Sequence, residues 1–274
     1  MSARETIPGR PLLLGTTLAL VTAVVVIPLA ALVFSLHGVS AAAFANAVLA
    51  PRALAAFRLT FGAALAASSV DLVAGLFVAW ILVRYRFPGR AALDALVDIP
   101  FALPPSVTGI TLAMLYGVHG AFGGWLEAHG LHVAYTQLGI GVALTFVAFP
   151  FVVRTVQEPL SQLPAAYTEA AASLGASEWT TFLRVTLPLL APALLTALTL
   201  ALARTLGEYG SVIFIAGNIP SHTEIAPLLI VTRLEEYDYA GAAAIAVVLL
   251  GVSFAMLLAI NGFQRRMTLA RTAL

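Results

Sequence analysis

Residues 240–260 read AGAAAIAVVLLGVSFAMLLAI, a stretch near the C-terminal end of the chain that holds no charged residue and no proline. A helix that crosses a bilayer needs about 20 mostly apolar residues, and this run meets that length. A strand of a membrane barrel would be about 10 residues long with alternating polarity, a pattern that is missing here. The stretch therefore predicts a transmembrane α-helix.

The whole chain is far more hydrophobic than a soluble protein. Of its 274 residues, 61% are hydrophobic and 10% are charged, and the mean hydropathy is +0.98. A soluble domain carries about a quarter charged residues, so this composition indicates an integral membrane protein surrounded by lipid. The net charge of +1 creates no field that would attract nucleic acid. The absence of cysteine excludes disulfides, thiolate nucleophiles and Cys-based metal sites.

Five further apolar runs are long enough to cross a membrane, which makes six predicted spans. The sequence thus predicts an all-α, polytopic protein whose residues 1–274 form a single transmembrane domain. The first run is longer than the apolar part of a signal peptide, and we expect it to remain as a span. The predicted spans are 12–34, 57–83, 99–118, 138–156, 189–216 and 240–262.

The arginines predict the orientation of the spans, because basic residues accumulate in cytoplasmic loops. With six spans, only Arg52 and Arg233 fall in loops on one side of the membrane. The segments on the other side hold ten, which places both termini in the cytoplasm: Arg4, Arg10, Arg84, Arg86, Arg90, Arg154, Arg184, Arg265, Arg266 and Arg271.

The cytoplasmic loop 158–188 carries the signals of a helix, a turn and a second helix. Pro164 suits the first turn of a helix, an alanine-rich segment follows, and Gly175 suits the left-handed position that ends one. Ser177 is a good N-cap for a second helix, and Glu178 is favourably placed in its first turn. We therefore expect a helical projection from the membrane that another protein docks against.

The second helix of this projection is predicted to be amphipathic. Trp179, Phe182, Leu183 and Leu187 recur on one face at helical spacing, and Pro188 is expected to close the element. The alternative is an incidental alanine-rich loop that lies on the membrane surface.

This loop resembles the Glu-Ala-Ala (EAA) motif of bacterial ABC-importer permeases. The resemblance rests on Glu169-Ala170-Ala171, on Gly175 four positions later, and on Leu187-Pro188, with Val185 where the family usually has Ile. It implies a type I ABC-importer permease architecture. It also implies that these residues and Trp179 form the contact that couples a cytoplasmic ATPase to the membrane helices.

The chain has no phosphate-binding loop of its own. It contains no Gly-x-x-x-x-Gly-Lys-Ser/Thr sequence and no lysine at all. We therefore expect the chain to be a transport subunit rather than an enzyme. We also expect it to bind no cofactor itself. In an ATP-driven importer, ATP and Mg would then be bound by a separate ATPase.

A narrower resemblance covers most of the chain from about residue 57 onward. The segments that carry it resemble the T-type permease of sulfate/thiosulfate importers: 84–90 (RYRFPGR), 98–104 (DIPFALP), 207–220 (GEYGSVIFIAGNIP), 223–230 (TEIAPLLI) and 238–242 (DYAGA). The resemblance implies sulfate import across the bacterial inner membrane, from periplasm to cytoplasm. The implied partners are a homologous W-type permease, an ABC ATPase dimer and a periplasmic sulfate-binding protein. Molybdate or tungstate permeases share part of 207–220 and remain the alternative.

Two charges fall within the fifth predicted span. A charged side chain at mid-bilayer costs about 2.5–3.5 kcal/mol on insertion scales, so Arg204 needs a partner or an aqueous cavity. Glu208 lies four residues later, on the same helical face. Arg204 is therefore expected either to line a translocation cavity for a dianion or to form a structural ion pair with Glu208. Gly207, Gly210 and Gly217 are expected to break the outer end of this span.

Three other polar residues within the predicted spans are candidates for a specific role. Asp71 is expected to pack between helices or to pair with an arginine such as Arg58. Ser106 and Thr108 follow two prolines, which leave backbone groups without their helical hydrogen bonds. Within a membrane such a break is tolerated only where it is buried or lines a cavity, so both residues are candidates for the substrate pathway. No metal site is expected. An ion-coupled secondary transporter that uses the intramembrane charges remains an alternative to the ATP-driven importer.

Overall fold

A computed structural model describes residues 10–272, in which the chain forms helices and no strand. The predicted all-α class is thus confirmed. Arg4, which entered the prediction of orientation, lies outside the described residues. Five helices in the described part are long and apolar enough to cross a membrane, judged by length and composition: Leu12–Phe34, Pro51–Arg84, Gln137–Gln162, Glu178–Leu206 and Tyr239–Gln264.

The N-terminal third contains three helices. Helix α1 begins as Arg10–Val21, widens into a π-helical turn at Thr22–Val26 and continues as Ile27–Phe34. Helix α2 (Ala41–Leu49) is a short helix that the sequence analysis did not predict, and helix α3 (Pro51–Arg84) begins six residues before the predicted second span. Proline at the first position suits a helix start, because it has no N–H that needs a partner.

The predicted third span, 99–118, is not one continuous helix. Helix α4 (Arg90–Val97) and helix α5 (Ile99–Ala102) precede Leu103, which is extended at φ −89° and ψ 130°. Pro104 forces this extended conformation on the residue before it. Helix α6 (Pro105–Tyr116) starts only afterwards and has 12 residues, shorter than a span. The predicted bounds 99–118 therefore do not correspond to a single helix.

The middle and C-terminal parts contain the remaining helices. The fifth predicted span, 189–216, was also wrong in its bounds, because the helix starts earlier and ends at Leu206, before the predicted glycine break. The helices are α7 (Gly123–Ala128), α8 (Gln137–Gln162), α9 (Ala165–Ser173), α10 (Glu178–Leu206), α11 (Val212–Ala216), α12 (Ala226–Glu235) and α13 (Tyr239–Thr272).

Helices α3, α8 and α10 form the centre of the bundle. Leu82, Val152 and Leu190 are completely or almost completely buried in their shared core. The approach of α3 to α8 is close, because a Cβ atom added at Gly75 would lie 2.6 Å from Val152 Cγ1. Small residues permit such close packing between membrane helices, where the apolar surroundings give little drive for association.

Two further contacts complete the bundle. Helix α13 packs against α12 and α10, and Ile245 on α13 is buried with Ala53, Phe57 and Leu229. By contrast, the apolar window of α1 is not buried against any described part of the chain. This helix therefore presents its apolar surface to lipid or to another subunit.

Candidate functional site

The projection between α8 and α10 has the helix–turn–helix form that the sequence predicts. Helix α9 ends where Gly175 adopts φ +77°, and the Gly175 N–H donates to the Ala172 carbonyl at 2.9 Å. Ser177 then caps α10, since its Oγ accepts a hydrogen bond from the Thr180 N–H at 3.2 Å. We call residues 164–186 the docking loop.

Aromatic contacts fix the docking loop to the end of α3. Phe182 meets Trp80 edge-on with ring centroids 5.0 Å apart, and Trp179 stacks on Phe182 at 5.7 Å. The Arg84 guanidinium lies 5.5 Å from the centre of the Trp80 ring. A shift of the loop would therefore be transmitted to α3 through Phe182.

The exposed surface of the docking loop includes the first two residues of the Glu-Ala-Ala motif. Glu169 and Ala170 are exposed, Leu174 is 89% exposed and Trp179 is 64% exposed, whereas Ala171 faces inward and is buried. Trp179 and Phe182 thus differ in exposure, although the sequence predicted a single apolar face. An exposed leucine and tryptophan on one small projection form a surface suited to a protein partner.

Pro188 does not end the second helix of the loop, contrary to the prediction. A π-helical turn, Phe182–Thr186, precedes it, in which the Leu187 N–H donates to the Phe182 carbonyl. This wider turn accommodates the proline ring, which would clash with the carbonyl four residues earlier in a regular α-helix. Helix α10 consequently runs without interruption from the docking loop to Leu206.

The far end of α10 carries the predicted ion pair. Arg204 Nη1 lies 2.5 Å from Glu208 Oε2, and the side chains are 33% and 2% exposed. The other carboxylate oxygen of Glu208 accepts hydrogen bonds from the Ser211 N–H at 3.0 Å and the Ser211 hydroxyl at 2.9 Å. Glu208 is therefore fully engaged, while Arg204 keeps part of its surface free to meet a ligand.

The broken third and fifth predicted spans meet at this ion pair. A Cβ added at Gly109 of α6 would lie 2.3 Å from the Ser211 carbonyl oxygen, and one at Gly210 would lie 2.7 Å from Pro105 Cβ. Ser106 is exposed beside this contact, and Thr108 is buried. The structure thus places the start of α6, which holds Ser106 and Thr108, against the segment that holds Glu208.

Asp71 is buried in the centre of α3, but the expected pairing with Arg58 is absent. Its residue surface is 0% exposed, and neither carboxylate oxygen has a hydrogen-bond partner among the described residues. One helical turn earlier, Ser68 Oγ lies 3.5 Å from Thr205 Oγ1 of α10. Of the two roles expected for Asp71, the structure therefore shows packing between helices, and no pairing with Arg58.

With this geometry established, comparison with known proteins identifies the family. The profile described as "Binding-protein-dependent transport system inner membrane component" matches residues 71–269. The chain belongs to this family. It is thus an inner-membrane component of a transport system, which confirms the prediction of a transport subunit rather than an enzyme.

Several curated relatives of this family member are similar over nearly their whole length. The "Sulfate transport system permease protein CysT" of Escherichia coli is 49% identical over 266 residues, 97% of this chain and 96% of the relative. The protein of the same name from Salmonella typhimurium gives the same identity and coverage. The "Probable sulfate transport system permease protein cysT" of Nephroselmis olivacea is 49% identical over 239 residues, 87% of this chain and 84% of that protein.

Solved structures support the fold. A chain of a bacterial alginate ABC transporter, solved with an alginate pentasaccharide-bound periplasmic protein, has a TM-score of 0.77 and 17% identity, covering 93% of each chain. A chain of an amino acid ABC transporter has a TM-score of 0.52 and 16% identity, covering 82% of this chain and 94% of that one. The predicted ABC-importer permease architecture is thereby confirmed.

Sequence reasoning missed an ion pair that ties the segment 223–230 to α3. Arg52 Nε and Nη2 each donate to one oxygen of Glu224 at 2.7 Å, and Glu224 is fully buried. The Ala226 N–H donates to Thr60 Oγ1 at 2.7 Å. The TEIAPLLI segment is thus bound to the bundle by its polar atoms. Glutamate in an apolar segment was the available signal, but its partner lies 172 residues away.

A second missed network lies where α8 meets α4. Arg154 donates to both oxygens of Asp98, at 2.9 and 2.6 Å, and to Asp94 Oδ1 at 2.6 Å. The hydrogen bond from Arg154 lowers the pKa of Asp94, against an opposing effect of burial. Asp98 is the first residue of the DIPFALP segment, so this segment, like TEIAPLLI, contains a residue with a structural role. No group of three or more metal-ligand side chains comes together within residues 10–272.

Proposed function

We propose that this chain is the permease of an ATP-driven importer that moves sulfate, and also thiosulfate, from the periplasm to the cytoplasm. The proposal is carried by the 49% identity, over 97% of the chain, to the E. coli protein named as a sulfate transport system permease. The docking loop and the arginine of the intramembrane ion pair are consistent with it. Sulfate is a dianion at neutral pH, and a guanidinium binds such oxyanions with paired hydrogen bonds.

The proposed complex contains partners that supply what this chain lacks. A homologous W-type permease would complete the channel, an ABC ATPase dimer would bind ATP and Mg, and a periplasmic sulfate-binding protein would deliver the anion. The chain itself would bind no cofactor. The arginine distribution supports an orientation with both termini and the docking loop in the cytoplasm.

The docking loop would connect ATP binding to the membrane helices. Glu169, Ala170, Leu174 and Trp179 lie outward, where the ATPase would contact them. Movement of the loop would pass to α3 through the Phe182–Trp80 contact and along α10, which starts in the loop. We propose that Gly175 sets the angle between the two helices of the loop. Ala171 and Leu187 would maintain the packing of the loop against the bundle, and Pro188, which is exposed, would keep the π-helical turn that joins the loop to the rest of α10.

The four predicted pathway residues divide into two roles. Arg204 and Ser106 retain surface, so we assign to them contact with the passing anion. Glu208 and Thr108 are buried, so we assign to them the positioning of Arg204 and of the start of α6. The Glu208–Ser211 hydrogen bonds hold the carboxylate in place and thereby orient the guanidinium.

The test is uptake of labelled sulfate, and separately of molybdate, in cells that lack this gene and every other sulfate importer. Wild type, Gly175→Pro and Gly175→Asn would each be added back. Proline cannot adopt the positive φ of Gly175 because its ring fixes φ near −65°. Asparagine adopts that conformation more readily than most residues.

The proposal expects wild type and Gly175→Asn to restore sulfate uptake, and Gly175→Pro to assemble without restoring it. Restoration of molybdate uptake alone would make the family assignment right and the substrate wrong. Sulfate uptake that persists after removal of the partner ATPase would favour an ion-coupled secondary transporter. If wild type restores neither uptake, the proposed function is wrong.

A further inference from the structure

A groove between the N-terminal halves of α3 and α8 has no assigned role. We call it the Arg58 groove, and its volume is about 660 Å³. Arg58 and Gly62 line it on α3, Gln137 and Gly141 line it on α8, and Ser221 and His222 line it at the end near the first turn of α8. This volume exceeds that of a tetrahedral oxyanion and leaves room for water around it.

The charge in this groove is uncompensated. Arg58 is exposed and forms no ion pair with any described residue, whereas Arg52, Arg154, Arg204 and Arg233 each contact a carboxylate. No aspartate or glutamate lines the groove. A guanidinium among mostly apolar walls attracts an anion more strongly than one on an open surface, because the low dielectric of the walls weakens screening.

The end of the groove is held in shape by a defined hydrogen bond. Gln137 Nε2 donates to the His222 carbonyl at 2.9 Å, which joins the outer loop to the first turn of α8. Ser221 also lines the groove and adopts φ +64°. The residues that line the groove thus include a guanidinium, a hydroxyl and an amide, which is the composition of an oxyanion site.

The walls of the groove are open where two glycines lie. A Cβ added at Gly62 or at Gly141 would meet no described atom within 4 Å. Larger side chains at these positions would therefore extend into the groove without striking the backbone. This permits the groove to be filled without any change to Arg58.

We propose that the Arg58 groove binds a tetrahedral oxyanion dianion and is a binding site on the import path, separate from the Arg204–Glu208 pair. The inference rests on the proposed function, which supplies the anion class. In the orientation given above, the groove lies towards the periplasm, where the anion would arrive. A membrane helix of a second permease is the competing occupant. Covering Arg58 with an apolar helix would bury an unpaired charge, which disfavours that occupant.

The experiment measures the dependence of uptake on sulfate concentration in the assembled importer, with molybdate as a second probe. Arg58→Gln is expected to raise the sulfate concentration for half-maximal uptake at least tenfold with little change in maximal rate. Arg58→Lys, which keeps the charge but loses the two-pronged donor geometry, is expected to raise it less. Gly62→Leu is expected to reduce uptake, and the matched Gly62→Ala variant is expected to stay close to wild type.

Each result distinguishes the groove from the proposed function. Sulfate uptake by wild type with an unchanged concentration dependence in Arg58→Gln would overturn the inference alone. Loss of the second permease from the purified Arg58→Gln complex would show that the groove is a subunit interface and would also overturn it. Molybdate uptake that depends on Arg58, without sulfate uptake, would support the groove and refute the proposed substrate. Failure of wild type to take up either anion would refute both proposals.

Discussion

The contact between Gly109 and Ser211 gives the sharpest prediction of the structure. Substitution Gly109→Ala would place a methyl group 2.3 Å from the Ser211 carbonyl oxygen, 2.9 Å from its carbon and 3.0 Å from Ser211 Cα. All three are backbone atoms, which no side-chain rotation can move away. Helix α6 and the segment after α10 would have to separate by about 1 Å to restore an ordinary contact of 3.4 Å.

The size of the effect follows from two opposing terms. Alanine in place of glycine within a helix stabilises by about 0.5–1 kcal/mol, whereas forcing a methyl group into a well-packed contact costs about 1–3 kcal/mol. Gly251→Ala in α13 is the matched control, because its Cβ would meet no described atom within 4 Å. The difference between the two variants therefore isolates the steric cost, about 1–3 kcal/mol in favour of Gly251→Ala.

The assay compares thermal unfolding of both variants in detergent with their sulfate uptake in cells. Gly109→Ala is expected to unfold at a lower temperature than Gly251→Ala and to transport more slowly, because Ser211 is the hydrogen-bond donor that holds Glu208. If the two variants agree in stability to within about 0.5 kcal/mol and both transport at the wild-type rate, the close contact between the broken spans does not exist as described.

Three further predictions concern the buried and paired carboxylates. Glu224→Gln is expected to cost about 3 kcal/mol of unfolding free energy, the lower end for a buried pair, because Arg52 retains 30% exposure; chemical denaturation in detergent would measure it. Asp71→Asn is expected to leave thermal stability equal to that of wild type or higher, because no described residue donates a hydrogen bond to either carboxylate oxygen of Asp71. The lowered pKa of Asp94 means that its contribution to stability is complete above the ordinary aspartate pKa and is lost as the pH falls through the lowered value. Thermal midpoints of wild type and Asp94→Asn should therefore differ by a constant amount near neutral pH and converge in strong acid. The Arg154→Gln variant and the Arg154→Gln/Asp94→Asn double variant should show the same pH dependence with a smaller difference between their midpoints.

Each of these has an outcome that contradicts it. A Glu224→Gln protein as stable as wild type would mean that Arg52 does not depend on this carboxylate. A clear loss of stability in Asp71→Asn would reveal a partner for Asp71 outside the described residues. A wild-type advantage over Asp94→Asn that grows as the pH falls would have the wrong sign for a carboxylate with a lowered pKa.

The long helices could be predicted because length and hydropathy alone decide them. Residues 12–34 and 240–260 are apolar over the thickness of a bilayer, and both lie in helices. The short helices α2 and α12 lack that signal, since they have 9 and 10 residues. The break at Leu103 was foreseeable from Pro104, but local rules do not state whether a proline-containing segment bends or stops.

Within the candidate site, contacts between positions close in the sequence were predictable and contacts between distant positions were not. Ser177, Gly175 and the Arg204–Glu208 pair were predictable because each involves positions no more than four residues apart. The Arg52–Glu224 and Arg154–Asp98 pairs join positions 172 and 56 residues apart. Only the packing of the bundle brings such residues together, so a single sequence gives no spacing from which to predict them.

The continuity of α10 has a mechanical consequence. Its 29 residues form a rod about 44 Å long at about 1.5 Å per residue, with the stacked Trp179 and Phe182 at one end and Arg204 at the other. If the helix pivots about its aromatic end, a tilt of about 5° displaces the far end by about 4 Å, more than the length of a hydrogen bond. A small angular change at the docking loop would then rearrange the charges around Arg204 without any local unfolding between the two ends of the helix.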